Sequence, residues 1–366
     1  MKYFFLNALL FICLHAFTQD CSQESLLQKP GNWKAGRKGS EGGTAADLTR
    51  EKMTVAAIHT MIKSKYTPMS VEGLFTGAYN PVYQNTPGNS YSYSIFPLNY
   101  YCEGNAFKTE HETSTYFSIT ANLFDAEVYD TAQGDRSLAE GFNVINDLPI
   151  EKDGYWYFNE IDAGLGLGMK GKSRAWLVTY NGKLPFSYVT KKEFLEKRKR
   201  SLQSKKLETV RGFMDVLQRI EIEKKYKETE FKNEPEKLKK YMKMDYLSIK
   251  ERYEKLLADN EKSYKPAFDK INEQLKRPAD ELNKQAIVKS DPGDYLSYLF
   301  TNDDDAFGKI LIKPNPGYFN KKLPRSSPQF FWIYVVGNHK EPIATKFMTD
   351  IMKAVDFATL KNMLGK

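Results

Sequence analysis

Histidine, cysteine and long apolar runs are scarce in this chain of 366 residues, which holds four histidines and three cysteines. After residue 17, no apolar run approaches the roughly 20 residues that a membrane-spanning helix needs. His59, His111 and His339 lie at separations that match no zinc-ligand spacing. No nucleophile elbow and no Cys–His pairing is recognisable. The sequence therefore predicts no metal, no cofactor, no familiar catalytic set and no transmembrane segment after the N-terminal leader.

The first residues have the pattern of a secretory signal. Lys2 gives a positive start, residues 3–17 are apolar with two interruptions, and polar residues follow. This run is too short and too interrupted for a membrane span, so we expect a cleaved signal peptide at 1–19 and a secreted or periplasmic protein. A lipid anchor would need a small residue directly before Cys21, where Asp20 stands.

Two cysteines, Cys21 and Cys102, remain once the leader has taken Cys13 with it. An even pair in an oxidising compartment allows one disulfide, which would tie the N-terminal segment to the sheet. Two unpaired thiols are the alternative, because sequence does not place the two α-carbons within bridging distance.

The composition is that of a folded globular protein, with 41% hydrophobic, 27% charged and 14% aromatic residues. One helical period followed by several strand-like runs with short connections predicts an α+β fold. We expect an antiparallel sheet domain with packed helices and an inserted long, highly charged, coiled-coil-like helical arm. The predicted divisions are a signal peptide at 1–19, a flexible N-terminal segment at 20–44, a sheet domain at 45–189 and 290–366, and the helical arm at 190–289.

Individual elements follow from hydrophobic periodicity. Residues 45–66 have a helical period, and residues 342–364 are amphipathic and predict one or two helices. Residues 30–44 lack a period and predict a loop, with Trp33 as an anchor. Near alternation of aromatic and β-branched residues predicts strands at 92–102, 113–128, 155–161, 174–180, 183–189, 309–313 and 329–336. The last of these is apolar throughout, which indicates a central strand.

The junction at residues 181–194 carries two local patterns. Asn181-Gly182 stands between two alternating runs and predicts a type I′ hairpin that joins them. Thr190 and Glu193 have capping-box spacing, and Val189 and Phe194 occupy the positions of a hydrophobic staple. A helix should therefore begin directly after Thr190.

Positive charge is concentrated in the predicted arm. Residues 190–277 hold 26 Lys and Arg against 17 Asp and Glu, a net of +9, whereas the whole chain is +8. A basic arm can bind polyanions by releasing their counterions. A solvated helix surface is the alternative, because most of the arm interleaves Glu with Lys. The densest basic residues are Lys191, Lys192, Lys197, Arg198, Lys199 and Arg200.

Residues 166–173 match the pattern of a nucleotide-binding P-loop. That chemistry needs a helix N-terminus aimed at the phosphates. The residues after Ser173 have the pattern of a strand instead. We therefore interpret this segment as a hairpin loop and expect no nucleotide partner.

Three side chains would serve a hydrolytic alternative. Glu160 and Asp162 share one face if their segment is a strand, as paired carboxylates for acid–base chemistry would require. His111 lies between Glu110 and Glu112, but a strand would put both carboxylates on the face opposite the imidazole. The structural interpretation is favoured for all of them.

Several short stretches resemble secreted proteins of Bacteroidetes, a family with no established activity. The resemblance implies export from a Gram-negative cell and transfers no site residue. The similar stretches are 180–185, 189–195, 315–319, 322–325 and 328–330, with 30–33 echoing an element after the signal peptide.

Export, segregated charge and the lack of a catalytic set predict a secreted or periplasmic, non-catalytic binding protein of the cell envelope. It would engage polyanionic or protein partners through the basic arm. The alternative is a secreted hydrolase that acts on an envelope glycan or peptide.

Overall fold

The computed structural model describes residues 21–37, 39, 41–80, 88–123, 142–165, 169–289 and 308–366. The chain divides into two compact units: unit 1 comprises Met1–Thr131, Asp147–Ser187 and Pro314–Lys366, and unit 2 comprises Ala132–Asn146 and Tyr188–Lys313. Unit 2 extends beyond the predicted arm at 190–289 because it also includes short strands. The predicted signal peptide at 1–19 lies outside the described residues.

The strands belong to two sheets. In chain order they are β1 Trp33–Ala35, β2 Val71–Asn80, β3 Ser90–Glu103, β4 Ala106–Thr109, β5 Tyr116–Ala121, β6 Asn143–Ile145, β7 Ile150–Lys152, β8 Tyr155–Tyr157, β9 Ile161–Gly164, β10 Lys170–Val178, β11 Phe186–Tyr188, β12 Ile287–Lys289, β13 Gly308–Pro314 and β14 Phe331–Gly337. The large sheet runs β1-β2-β3-β5-β14-β10-β8-β7, with β4 paired to β3 and β9 paired to β10. In the small sheet, β13 pairs with β11, β12 and β6.

The helices divide between the two units. They are α1 Gln23–Gln28, α2 Ala45–Lys65, α3 Lys191–Glu230, α4 Pro235–Tyr241, α5 Ser248–Gln274, α6 Ala279–Leu282, α7 Pro342–Ala354 and α8 Phe357–Met363. A π-helical turn at Met242–Leu247 connects α4 to α5. The predicted α+β class is confirmed, and the large sheet is antiparallel apart from the parallel pair β1–β2.

The core of unit 1 lies between α2, α7 and the large sheet. Val55, Ile58 and Ile62 share one face of α2 and are buried in a cluster with side chains from β3, β5, β14 and α7. All seven residues of β14 are buried, because β5 and β10 flank this strand. The predictions of the helix at 45–66 and of a central strand near 329–336 are thereby confirmed.

The N-terminal segment differs from its prediction as a loop. It contains α1 and the edge strand β1, and the backbone N–H of Gly36 donates to the Phe75 carbonyl of β2 at 2.7 Å. Trp33 anchors the segment as expected, since its ring contacts the rings of His59, Tyr66 and Phe75 edge-on. Pairing with β2 satisfies backbone groups of residues 33–36, which lie at the edge of the large sheet. The flexibility expected for 20–44 stays a prediction.

The prediction of a hairpin at Asn181-Gly182 is also wrong. β10 pairs with β14, β8 and β9, whereas β11 pairs with β13 in the other sheet. Tyr180–Gly182 forms a 3₁₀ turn closed by the Lys183 N–H on the Tyr180 carbonyl, and Gly182 adopts φ +64°. The turn residues were recognised, but the strands on either side belong to different sheets.

The start of α3 confirms the predicted capping box. Thr190 Oγ1 accepts from the Glu193 N–H at 3.1 Å, and Glu193 Oε2 accepts from the Thr190 N–H at 3.0 Å. Val189 and Phe194, the staple residues, are buried in one cluster. This cap satisfies two backbone donors that a helix start leaves without partners.

Helices α3 and α5 run antiparallel and pack along each other. Lys199 Nζ donates to Asn272 Oδ1 at 2.8 Å near one end, and Lys250 Nζ lies 3.4 Å from Glu221 Oε1 toward the other. Residues 231–234 separate α3 from α4, and Pro235 opens α4. Pro266 lies inside α5.

A disulfide joins Cys21 and Cys102, with their α-carbons 5.7 Å apart. Cys102 lies on β3, so the bridge ties the start of the described chain to the large sheet. The sequence had left this pairing open.

Candidate interaction surface

One face of α3 carries exposed apolar and basic side chains together. Because successive helical residues are 100° apart, Arg200, Leu207, Arg211, Met214, Ile222 and Lys225 fall within an arc of about 80°. All six are exposed. We call this set the outer strip of α3. The other residues of the same arc are Ser204, Gln218 and Thr229, so no carboxylate lies on it between residues 200 and 229.

The apolar members of the outer strip are strongly exposed. Leu207 is 57%, Met214 52% and Ile222 62% exposed, and Tyr226 beside them is 65% exposed. Single exposed apolar residues are ordinary on protein surfaces, but several along one helix face are typical of a contact region.

The opposite face of α3 holds the helix in unit 2. Leu202 belongs to the cluster formed with α5 and the small sheet, and Ile220 packs with Tyr241 and Tyr246. The ring of Phe213 meets the ring of Tyr253 on α5. Since α5 covers this face, the outer strip is directed to solvent.

Charged side chains on the two faces of α3 differ in whether they have partners. Toward α5, Glu221 accepts a hydrogen bond from Tyr246 Oη at 2.6 Å, and this bond together with Lys250 lowers the pKa of Glu221. On the outer strip, Arg200, Arg211 and Lys225 form no ion pair with any residue of the described ranges. Their positive charge is therefore not neutralised within this part of the chain.

The six basic residues singled out in the sequence do not form one surface. Lys192 and Arg200 are exposed. Lys197 Nζ lies 3.9 Å from the centre of the Phe142 ring, and Lys199 donates to Asn272. Lys191 is half-buried with interactions of its own.

Arg198 is 2% exposed and lies in the interior of unit 2. Its guanidinium is therefore not available to an external partner, and dense basic sequence did not mean an exposed cluster here. Only Arg200 of the six belongs to the outer strip. The rest of the strip was missed because its apolar members are seven and eight residues apart and, among many charged neighbours, show no local pattern.

The carboxylates considered for hydrolysis form ion pairs across strands. Glu160 Oε2 lies 2.6 Å from Arg174 Nε, and Asp162 Oδ1 lies 2.7 Å from Lys172 Nζ. The hydrogen bond from Lys172 lowers the pKa of Asp162, so this carboxylate is ionised at neutral pH. His111 lies in an irregular stretch between β4 and β5. These contacts give both acids a structural role.

The P-loop-like segment lies partly outside the described residues, at 166–168. Its remainder enters β10, which begins at Lys170 and runs to Val178. The lysine of the pattern, Lys172, is the partner of Asp162. The segment is thus followed by a strand, as the sequence analysis predicted.

Within the ranges that the structure covers, no group of three His, Cys, Asp or Glu side chains is placed to hold a metal ion. In the same ranges no helix combines the length and apolar character needed to cross a membrane. Comparisons with protein-family models, with curated proteins and with solved structures find no match to this chain.

Proposed function

We propose that this chain is an exported, non-catalytic binding protein of the cell envelope, and that α3 and α5 form an arm that docks on an anionic lipid surface. The outer strip of α3 carries the proposal, because it combines exposed apolar side chains with basic ones that form no ion pair within the described part of the chain. Export is supported by the leader pattern at 1–19 and by the Cys21–Cys102 disulfide, since such bonds persist in oxidising compartments.

The geometry of the strip fits a surface better than a point ligand. From Arg200 to Lys225 the helix rises about 37 Å, so the strip is a long, narrow contact line. Each Lys or Arg near an anionic lipid surface contributes about 1 kcal/mol, and apolar side chains add to this by entering the headgroup boundary. Arg200, Arg211 and Lys225 alone would supply about 3 kcal/mol.

A polyanionic polymer such as an acidic glycan is the alternative ligand. It would use the basic side chains and leave the apolar ones in water, since a sugar chain offers no apolar layer. The exposure of Leu207, Met214 and Ile222 therefore favours a lipid surface. No observation among the described residues favours the hydrolytic alternative.

Vesicle co-sedimentation over a salt series tests the electrostatic part. The protein should bind vesicles that contain phosphatidylglycerol, bind neutral phosphatidylcholine vesicles poorly, and dissociate as salt screens the charges. Replacing Arg200, Arg211 and Lys225 with Glu should weaken binding by at least about 100-fold, since three favourable charges are lost and three repulsive ones gained.

A matched control makes the same change of charge elsewhere. Arg252, Lys255 and Lys262 are exposed on α5 and lie off the strip, so their replacement with Glu should have a much smaller effect. Equal losses from the two triple variants would mean that only net charge matters. The docking face would then be abandoned.

A second variant separates lipid from polymer. Replacing Leu207, Met214 and Ile222 with Ser should weaken vesicle binding by about tenfold or more and leave heparin binding unchanged. Strong heparin binding together with unchanged vesicle binding in this variant would instead identify a polyanionic polymer.

A further inference from the structure

A cavity of about 480 Å³ lies within unit 1, between α2 and the edge of the large sheet. This volume is in the range of small-molecule sites, which is roughly 300–1,000 Å³. The walls come from β1 and the chain after it, from α2, and from β2 with one residue of β3. The lining residues used below are Arg37, Glu41, Lys52, His59, Phe75, Gly77, Tyr79 and Tyr93.

Gly77 stands between two aromatic residues on one face of β2. Side chains two apart in a strand share a face, so Phe75, Gly77 and Tyr79 all face α2. A β-carbon at Gly77 would lie 2.5 Å from Tyr79 Oη and 3.2 Å from Val55 Cγ1 of α2. The Tyr79 side chain therefore takes the place that a side chain at Gly77 would need, and a larger residue here would displace this wall of the cavity.

Aromatic rings form the walls beside this gap. The His59 ring stacks on the Phe75 ring with centroids 4.0 Å apart, and Trp33 meets both rings edge-on. Tyr93, on the neighbouring strand, lies against His59. Flat walls of this kind suit a flat ligand, because ring stacking adds to the burial of apolar area.

One hydrogen bond fixes the histidine. His59 Nδ1 lies 3.0 Å from Tyr93 Oη, so Tyr93 holds the ring in its stacked orientation. Burial, with a smaller contribution from Lys63, lowers the pKa of His59 and keeps the imidazole neutral at neutral pH. A neutral imidazole has one donor and one acceptor nitrogen, and Nε2 has no bonded partner among the described residues. The ring thus offers one polar atom beside an apolar stack.

Two cations and one carboxylate complete the lining. Lys52 Nζ lies 2.8 Å from Glu41 Oε1, which leaves Arg37 as the charge in excess. Arg37 is exposed and forms no ion pair with any residue that the structure describes. A guanidinium with no partner is suited to a carboxylate, sulfonate or phosphate, which it can bind through two parallel hydrogen bonds.

We propose that this cavity binds a small aromatic anion, whose flat ring system lies against His59 and Phe75 and whose acidic group meets Arg37. The site lies in unit 1 and does not rest on the function proposed for the outer strip of unit 2. The ligand class follows from the aromatic walls and the positive charge of Arg37.

Two fluorescent probes that differ by one acidic group test the proposal on the full mature chain. 8-Anilinonaphthalene-1-sulfonate carries a sulfonate, whereas N-phenyl-1-naphthylamine has the same rings and no charge. The sulfonate probe should bind with one-to-one stoichiometry and about tenfold more tightly than the neutral probe, as a charge-assisted hydrogen bond implies. Equal affinities would overturn the assignment of an anionic ligand.

Gly77→Ala tests whether the cavity is the site. It should weaken both probes by about tenfold or more, because the new methyl group displaces the Tyr79 side chain, which lines the cavity. Gly164→Ala is its matched control, since a β-carbon at Gly164 meets nothing within 4 Å. If Gly77→Ala does not fold, Phe75→Leu replaces it, as it removes the stacking ring at nearly the same volume.

Arg37→Gln tests the acidic group. It should remove the advantage of the sulfonate probe and leave the neutral probe unchanged, whereas Arg174→Gln, outside the cavity, should change neither. Probe binding that survives both Gly77→Ala and Phe75→Leu would overturn the site. Loss of probe binding in the variant with Ser at Leu207, Met214 and Ile222 would also overturn the site, because that loss would place the probe on the outer strip.

Discussion

The disulfide allows a stability prediction with a worked magnitude. Cys21 and Cys102 are 81 positions apart, so the bond closes a long loop in the unfolded chain. The chain-entropy relation gives about 15 cal/mol/K for this length, or about 4.5 kcal/mol at 25 °C. Native strain and residual structure usually reduce the effect, so we expect Cys21→Ser to lower the free energy of unfolding of unit 1 by about 2–4.5 kcal/mol.

The native contacts of the N-terminal segment should survive the loss of the disulfide. The Gly31 N–H donates to the Pro68 carbonyl at 2.9 Å, and the Asn32 carbonyl accepts from the Gly73 N–H at 2.8 Å. Trp33 adds its contacts with the aromatic rings of the core. The loss should therefore arise in the unfolded state, with little change in the folded one.

Tryptophan fluorescence during urea unfolding measures unit 1 alone. The four tryptophans of the chain, Trp33, Trp156, Trp176 and Trp332, all lie in its segments. With a urea dependence of about 2 kcal/mol/M, the middle of the usual range, the midpoint should fall by about 1–2 M. Far-ultraviolet circular dichroism, to which the long helices of unit 2 contribute strongly, then follows the unfolding of unit 2 as an internal reference.

Three comparisons make the reasoning refutable. Cys21→Ser, Cys102→Ser and the double variant should be equally destabilised, because each lacks the same bond. The wild-type protein under reducing conditions should match them. Two free thiols in the unreduced mature chain, or an unchanged midpoint after reduction, would refute the loop-closure account.

Two further predictions concern a cap and a buried acid. Thr190→Ala should lower the stability of unit 2 by about 1 kcal/mol in urea unfolding followed by circular dichroism, and Thr190→Ser should not, because only the hydroxyl cap is needed. Glu51 is 2% exposed and accepts from Asn89 Nδ2 at 2.9 Å, and burial raises its pKa above the ordinary value of 4.5. Because the pKa of Glu51 is higher in the folded state than in the unfolded state, its protonated carboxyl contributes to the stability of unit 1 at a pH below the unfolded-state pKa. This contribution is lost as the pH rises through the folded-state pKa. Glu51→Gln should therefore stabilise unit 1 at neutral pH, with the gain disappearing below about pH 4; an equal gain at both pH values would contradict this sign.

Local patterns in the sequence predicted the elements whose causes are local. The capping box at Thr190 needs only side chains three residues apart, and it formed as expected. The helix at 45–66 and the apolar strand at 329–336 carry their own periodicity, and both are present. The hairpin at Asn181-Gly182 failed because a turn pattern says nothing about which sheet its flanking strands join.

The strand β2 was missed altogether, and its composition explains why. Its ten residues include Gly73, Gly77 and Ala78, which are residue types depleted in strands. The strand is stabilised by pairing with β3 on one side and β1 on the other. One of these glycines, Gly77, leaves room for the side chain of Tyr79, which lines the candidate cavity.

A buried polar network near the end of β5 was equally beyond the reach of sequence periodicity. Asn122, in the left-handed region at φ +59°, donates through Nδ2 to the carbonyls of Asn89 and Ser327 at 3.0 Å each. Its Oδ1 accepts from the Gln329 N–H at 2.7 Å. One side chain thus satisfies three backbone groups from distant parts of the chain, as a buried polar group must.

The turn that begins at Asn315 belongs to this kind of framework. Asn315 accepts the Gly317 N–H in its own turn and donates through its backbone to the Pro185 carbonyl at 2.9 Å, which ties the turn to the strand region before β11. Tyr318 Oη donates to the Gln329 carbonyl at 2.6 Å. These residues hold backbone in place, so their role is structural.

The two proposed sites lie outside this framework. The outer strip occupies residues 200–225, and the cavity takes its distinguishing features from Arg37, His59 and Phe75. A scaffold fixed at one set of positions leaves binding surfaces free to differ at another. Arg37→Gln should therefore remove the advantage of the sulfonate probe and leave the urea midpoint of unit 1 unchanged, which the paired probe titration and the unfolding curve would measure directly.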